Sequence, residues 1–335
     1  MSVGAFDTVS VGAFDTVSVG ASDTVSVGAP DLWLPASGCY PACLPVDGAV
    51  PAVSAARQAA RLLAVLGMLL LGVGMAAVLP VLPVRERRTA LRSWARATVR
   101  AFGVRLVVRG RLPRRRALVV ANHVSWLDVP ALLAVAPARM VAKGEVRGWP
   151  LLGLLARVGG TLFVDRSRPR DLPEAVGRVR AALRTGHTVA VFPEGTTWCG
   201  VSAGCRPARG FRPALFQAAV DAGTPVVPLR ISYGCAGTGA PSTATAFLGE
   251  ETLWRSVRRV LAAPGLVVSV TVAGVLHPAA GTDRRALARA AESAVRLVPS
   301  SAGRPSAAPR RVSAGPPAAV EPAAVEPAGE LDLAA

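Results

Sequence analysis

Between Arg61 and Arg85 the chain runs for 23 positions without a charge, LLAVLGMLLLGVGMAAVLPVLPV. At about 1.5 Å of rise per residue, a helix of that length reaches across roughly 30 Å of hydrocarbon. Pro80 and Pro83 would distort or end it, leaving 62–79 as the proline-free part. We read the run as membrane-associated and prefer a spanning helix to a re-entrant or interfacial one, with a buried core helix as the third reading. Directly after it, residues 85–116 hold twelve arginines and one glutamate. Arg88, Arg92, Arg96 and Arg100 recur every four residues, a basic helical stripe suited to anionic headgroups, with Trp94, Val99 and Phe102 left for another face. Only Arg57 and Arg61 flank the other end, so the positive-inside rule places the body that follows on the cytoplasmic face of the cell membrane. An ordinary solvated basic helix is the plainer alternative.

This block accounts for most of the chain's net charge of +17. With only 18% charged residues against 51% hydrophobic ones, wholesale disorder is excluded, and the basic excess requires lipid headgroups, a phosphorylated substrate or nucleic acid as partner. Few aromatics accompany the arginines, and the block adjoins the apolar run; both argue for lipid and against nucleic acid. The 335 residues leave room for one large or two small domains. Residues 2–31 repeat an eight-residue unit, SVGAFDTV, too short to bury a core, and prolines follow, so 1–52 reads as a disordered tail. The Pro/Ala-rich 299–335 reads the same way. The five cysteines, Cys39, Cys43, Cys199, Cys205 and Cys235, are odd in number, irregularly spaced and without a C-x-x-C pair, so neither a disulfide framework nor a metal site is expected.

From residue 105 short apolar runs alternate with helical stretches. Strands are expected at 105–109, 117–121, 138–142, 161–165, 187–192, 225–231 and 266–276, with helices near 129–136, 149–158, 172–185, 212–222, 251–262 and 283–298. The fold class is therefore α/β: a mixed, largely parallel sheet flanked by helices, preceded by an N-terminal membrane-associated helix. Residues 53–104 would be the membrane-anchoring and basic part and 105–298 the catalytic domain, with function at the strand ends.

Three strand ends carry chemistry. After 117–121 comes Asn122-His123-Val124-Ser125-Trp126-Leu127-Asp128. A carboxylate five residues on can bond one ring nitrogen of His123, fix its tautomer and leave the other nitrogen as a general base. Asp128 before Val129-Pro130 equally suits a helix N-cap, and Ser125 with Asp128 matches a capping box, so both roles stay open. After 187–192 comes Pro193-Glu194-Gly195-Thr196, where Glu194 could take substrate hydroxyls, Gly195 permits close approach, and a plain turn is the bland reading. After 161–165 comes Arg166, a fork of donors suited to phosphate or to a surface salt bridge; Arg212, at an expected helix start, is a second such cation.

Asn122, His123 and Asp128 match the N-H-x-x-x-x-D motif, and Phe192 to Thr196 match F-P-E-G-T, letter for letter. With Asp165-Arg166-Ser167, Pro228 and the chain's single lysine, Lys143, these segments resemble the glycerophosphate acyltransferase family typified by bacterial 1-acylglycerol-3-phosphate acyltransferase. The resemblance covers residues 60–298 and implies direct transfer without an acyl-enzyme. His123, oriented by Asp128, would be catalytic, and Arg166, Glu194, Gly195, Thr196, Arg212 and Lys143 would bind substrate. The donor would be acyl-CoA or acyl carrier protein, the acceptor a lysophospholipid, with no cofactor and no metal. Thr197 stands where the family often has arginine, and the longer loop after it looks like that of lyso-ornithine lipid acyltransferases, which opens a second acceptor.

Two other classes compete. Gly200-Val201-Ser202-Ala203-Gly204 fits the G-x-S-x-G elbow of serine hydrolases, although its neighbours offer neither the strand nor the helix that elbow needs. A non-enzymatic, membrane-tethered basic protein would make the charge itself the function.

Overall fold

In the computed structural model, which describes residues 35–299 apart from 47, 49–51, 114–115 and 166–167, each expected strand forms within a few residues of its expected bounds. They are β1 (Arg105–Arg109), β2 (Leu118–Ala121), β3 (Arg139–Lys143), β4 (Leu162–Val164), β5 (Val189–Val191), β6 (Val226–Cys235) and β7 (Leu266–Val272). They make one sheet in the order β1-β7-β6-β2-β5-β3-β4, parallel at every junction except β6 with β7. The expected helices form as α3 (Asp128–Val135), α4 (Leu152–Val158), α5 (Leu172–Arg184), α6 (Phe216–Ala222), α7 (Leu253–Ala262) and α8 (Arg284–Leu297), after α1 (Ala55–Val78) and α2 (Val84–Ala101).

Period-2 alternation explains the layering. In β2, Val119 and Ala121 face the core shared with α2, α3 and α7 through Val99, Leu132 and Val260; Leu118 and Val120 face the one shared with α5, α6 and α8 through Leu183, Phe216 and Leu287. A strand buried on both faces reads as an unbroken apolar run, as LVVA does. Truncating the fully buried Leu118 to alanine would cost about 2–5 kcal/mol. Because β2, β3, β4 and β5 are mutually parallel, their C-terminal ends, and every loop singled out in the sequence, open on one edge of the sheet.

The apolar run forms α1, long and apolar enough to cross a membrane by length and composition. It does not stand apart from the body. At its start, Val53 N–H donates to Ala262 O (2.9 Å), and the Arg61 guanidinium donates to Leu261 O (2.7 Å) and Ala263 O (2.9 Å), orphan carbonyls at the end of α7. A 3-10 turn at Leu79–Val81 reverses the chain into α2, which packs on α3 and delivers Phe102 and Val104 to the core. The hairpin is pinned by Trp94, whose indole N–H donates to Met68 O at 2.9 Å. Gly72 is what lets that ring lie flat on α1: a Cβ there would come within 2.9 Å of Trp94 Cζ2. Outward, Leu63, Leu66, Leu70, Leu71, Val78, Val81 and Val84 are exposed.

One expectation is extended and one changes. Arg88, Arg92, Arg96 and Arg100 are all exposed, as the stripe requires, and Arg92 and Arg96 also donate to Val135 O (3.4 Å) and Ala134 O (3.3 Å) at the C-terminus of α3, where unsatisfied carbonyls attract cations. The expected tail over 1–52 contains an ordered part: residues 35–46 lie against the loop after β5, through Cys39 and Cys43. The octapeptide repeat, Arg166 and the 300–335 segment lie outside the described residues.

Candidate active site

His123 leaves the end of β2 where pairing stops. Asn122 takes over from the ladder: its amide donates to Ile231 O and its carbonyl accepts from Ile231 N–H, both at 2.8 Å, so the backbone of β6 stays satisfied while the next residue turns away. His123 Nδ1 lies 2.8 Å from Asp128 Oδ2. The carboxylate is fully buried, while the imidazole side chain keeps 20% of its surface exposed.

Asp128 does more than orient the ring. Oδ2 also accepts from Val124 N–H (2.7 Å) and Ser125 N–H (2.9 Å), and Oδ1 accepts from Tyr233 Oη at 2.6 Å. Four donors on one ionised carboxylate are what its burial requires. This decides between the two readings of the motif. Leu127, not Asp128, is the N-cap of α3, and Ser125 Oγ accepts from Leu127 N–H instead of closing a capping box. Donors at the carboxylate make Nδ1 the protonated nitrogen of neutral His123, which leaves the Nε2 lone pair as a base. Phe192 stacks on the ring at 4.0 Å with 5° between the planes and fixes its face.

Glu194 differs from its expected placement. Instead of projecting from the edge, it is 6% exposed and turned inward. Oε2 accepts the His123 backbone N–H at 2.7 Å, and both oxygens lie 3.1 Å from the Trp198 indole nitrogen. Trp198 in turn donates its backbone N–H to His123 O at 3.1 Å. Glu194 and Trp198 thus clasp the histidine backbone on both sides. Burial pushes the Glu194 carboxyl up to about 8, against the lowering effect of the His123 and Trp198 donors.

The remaining residues are more dispersed. Gly195, at φ +74°, makes the turn after β5, and Pro35 approaches so closely that a Cβ would meet its Cγ at 2.9 Å. Arg212 donates its backbone N–H to Pro193 O (3.0 Å) and lies beside Gly195; α6 begins at Phe216, later than expected. Thr196 is half-buried next to them, and Thr197 donates its hydroxyl to Phe247 O. Lys143 ends β3 on the same edge but is exposed and lies 3.8 Å from Glu145.

Three residues of the site escaped sequence reasoning. Tyr233 carried a signal, since a tyrosine inside an apolar strand must find a partner for its hydroxyl; burial, then Asp128, raise it well above its ordinary value and keep it a donor. Trp198 and Arg230 carried none. Arg230 lines a cavity of about 20 Å³ with Asn122, Glu194, Trp198 and Arg206. Burial, then the neighbouring Arg206, lower its guanidinium, as burial and Arg209 lower Arg212. The hydrolase elbow is not built: Ser202 sits in a loop between a bend and one 3-10 turn, Ala203–Cys205.

A sequence profile of the Acyltransferase family matches residues 104–232. The chain is 39% identical over 249 residues to the lyso-ornithine lipid O-acyltransferase of Pseudomonas aeruginosa, covering 72% of this chain and 91% of that one. It is 37% identical over 184 residues to the 1-acyl-sn-glycerol-3-phosphate acyltransferase of Neisseria gonorrhoeae, 54% and 68% of the two lengths. The crystal structure of the 1-acyl-sn-glycerophosphate acyltransferase PlsC of Thermotoga maritima shares the fold, with a TM-score of 0.50 at 22% identity over 72% of this chain and 95% of that one. The dyad, the clasp around it and this extent of identity establish that the chain is an acyltransferase of the glycerophosphate acyltransferase family.

Proposed function

We propose that the protein moves an acyl chain from a thioester, acyl-CoA or acyl carrier protein, to the free hydroxyl of a lyso-lipid. The observation that carries this is the 2.8 Å bond from His123 Nδ1 to buried Asp128, which leaves Nε2 as a base on the partly exposed side of the ring. Nε2 takes the proton of the acceptor hydroxyl as its oxygen attacks the thioester carbonyl carbon. The C–S bond breaks, and the leaving thiolate recovers the proton from Nε2. Since thiolate is a good leaving group, positioning and a base supply most of the acceleration.

The acceptor on the first reading is 1-acyl-sn-glycerol-3-phosphate, giving phosphatidic acid. Arg212 and Arg166 supply cations for its phosphate, while Glu194, Gly195, Thr196 and Lys143 complete the binding set. A specific observation favours lyso-ornithine lipid as the second reading. Thr197, in place of the arginine frequent at that position, spends its hydroxyl on Phe247 O, so one cation for a phosphate is missing; the relative matched over 91% of its length also bears that name.

The apolar hairpin supports attachment to the cytoplasmic leaflet. Both ends of α1–α2 are held to one body, α1 through Arg61 and α2 through Phe102 and Val104. We read a segment so held, with its leucines exposed, as one that dips into a leaflet and returns, although α1 is long and apolar enough to span. The deciding experiment incubates membrane fractions with labelled acyl-CoA and a panel of lysophosphatidic acid, other lysophospholipids and lyso-ornithine lipid. The acceptor consumed names the activity; no transfer to any of them, or transfer retained by His123→Ala, refutes the reading.

A further inference from the structure

Four cysteines that the active site does not use converge beside it. Cys39 and Cys43 come from the segment 35–46, and Cys199 and Cys205 from the loop after β5, about 160 residues later. Their four Sγ atoms all lie within 4.8 Å of one another. Cys43 Sγ and Cys205 Sγ are 3.6 Å apart. That spacing is far beyond the roughly 2.05 Å of a disulfide. It matches the edge of a tetrahedron of thiolates about 2.3 Å from a central zinc ion, which is about 3.8 Å.

We infer that Cys39, Cys43, Cys199 and Cys205 form a structural tetrathiolate site for zinc. The backbone around them is fitted to the convergence. Gly38 passes so close to the other loop that a Cβ would lie 2.8 Å from Gly204 O, and Gly200 takes φ +78°. The Cys199 backbone N–H points at Cys39 Sγ at 3.1 Å, the kind of donor that supports a metal-bound thiolate. Cys199 and Cys205 are buried and Cys39 and Cys43 half-buried, as in a closed structural site with no position left for substrate. Both segments are nearly bare of regular structure, one 3-10 turn each, and gain from a metal what they lack in core. Each thiol gives its proton to solvent as the ion binds.

The site's place gives it a role. Cys199 follows Trp198, whose indole holds Glu194 and whose backbone holds His123. Cys39 lies four residues from Pro35, which covers Gly195. Zinc would therefore clip the N-terminal segment onto the F-P-E-G-T loop and fix the wall of the acceptor site. The spacings are C-x-x-x-C and C-x-x-x-x-x-C rather than C-x-x-C, and only the fold joins the two pairs, so the sequence alone shows no metal site.

The test is metal analysis of the full chain purified in detergent under reducing conditions from zinc-supplemented cells. One zinc per chain is expected, retained by Cys235→Ser and lost, at least tenfold, by the double variant Cys43→Ser/Cys205→Ser. Should the double variant fail to fold, cobalt titration of the stripped wild type decides: a thiolate-to-cobalt charge-transfer band with intense tetrahedral visible bands supports the site. A wild-type chain that holds no zinc and gives no such spectrum overturns it. So does zinc retained equally by the folded double variant, or a mass deficit showing two disulfides among these cysteines. None of these readouts depends on acyl transfer.

Discussion

Replacing Asp128 by asparagine separates the charge of this carboxylate from its geometry. Oδ2 accepts from Val124 N–H, Ser125 N–H and His123 Nδ1 within 2.7–2.9 Å. An amide NH2 cannot face two backbone N–H donors, so the asparagine oxygen takes that place and the NH2 turns to Tyr233, whose hydroxyl rotates to accept. His123 keeps its tautomer, and only the negative charge is gone. In the transition state the imidazole becomes imidazolium. With an ionised donor the bond is worth about 1.5–3 kcal/mol, the low end for a neutral oxygen and the high end for a carboxylate. The difference, about 1–2 kcal/mol, corresponds to a loss on the order of 5–30-fold in kcat. Initial rates with labelled acyl-CoA should show that loss with both KM values and Tm nearly unchanged. A loss of about a thousandfold at unchanged Tm would mean the backbone amides do not hold the tautomer, and an undiminished kcat would remove the charge from the mechanism. Asp128→Ala is the contrasting case, since it strands two buried N–H groups and a hydroxyl at about 1–3 kcal/mol each, and Tm should fall before kinetics can be read.

Folded Glu194 holds its proton to about pH 8 where the unfolded chain releases it near 4.5, so its contribution to stability declines as pH rises through that window and then levels off. Glu194→Gln should flatten the decline, read as Tm against pH; parallel curves for the two proteins would show that Glu194 does not titrate there. Trp198→Phe keeps the ring's bulk but removes the indole N–H from a buried carboxyl, at about 1–3 kcal/mol, and should lower both Tm and kcat; unchanged values in both assays would show that the clasp is idle. Gly72→Leu drives a side chain into Trp94 and should open the hairpin, lowering Tm and weakening co-sedimentation with anionic vesicles; unaltered sedimentation would separate hairpin geometry from membrane binding.

Legibility followed distance along the chain. The strands were readable because burial on both faces writes itself as runs such as LVVA and LVVSVTV, and the helices because one apolar face repeats in Leu172–Arg184 and Arg284–Leu297. The His123–Asp128 dyad was readable for the same reason, five residues apart across one turn, although only the bonds to Val124, Ser125 and Tyr233 exclude the N-cap.

What stayed hidden depends on partners remote in sequence. Glu194 looks like a carboxylate projecting from the sheet edge until His123, 71 residues earlier, is seen to donate to it. The arginine stripe is exposed, but nothing in its spacing shows that Arg92 and Arg96 also reach the carbonyls of α3. The apolar run forms the expected helix, but nothing in it shows that Arg61 is tied to α7, 200 residues on. In each case composition and spacing report what a group needs, while only the sheet order decides what stands opposite. The four thiols follow the same rule: as two loose pairs they promise nothing, and it is the packing of residues 35–46 against the loop after β5 that gives them a common centre.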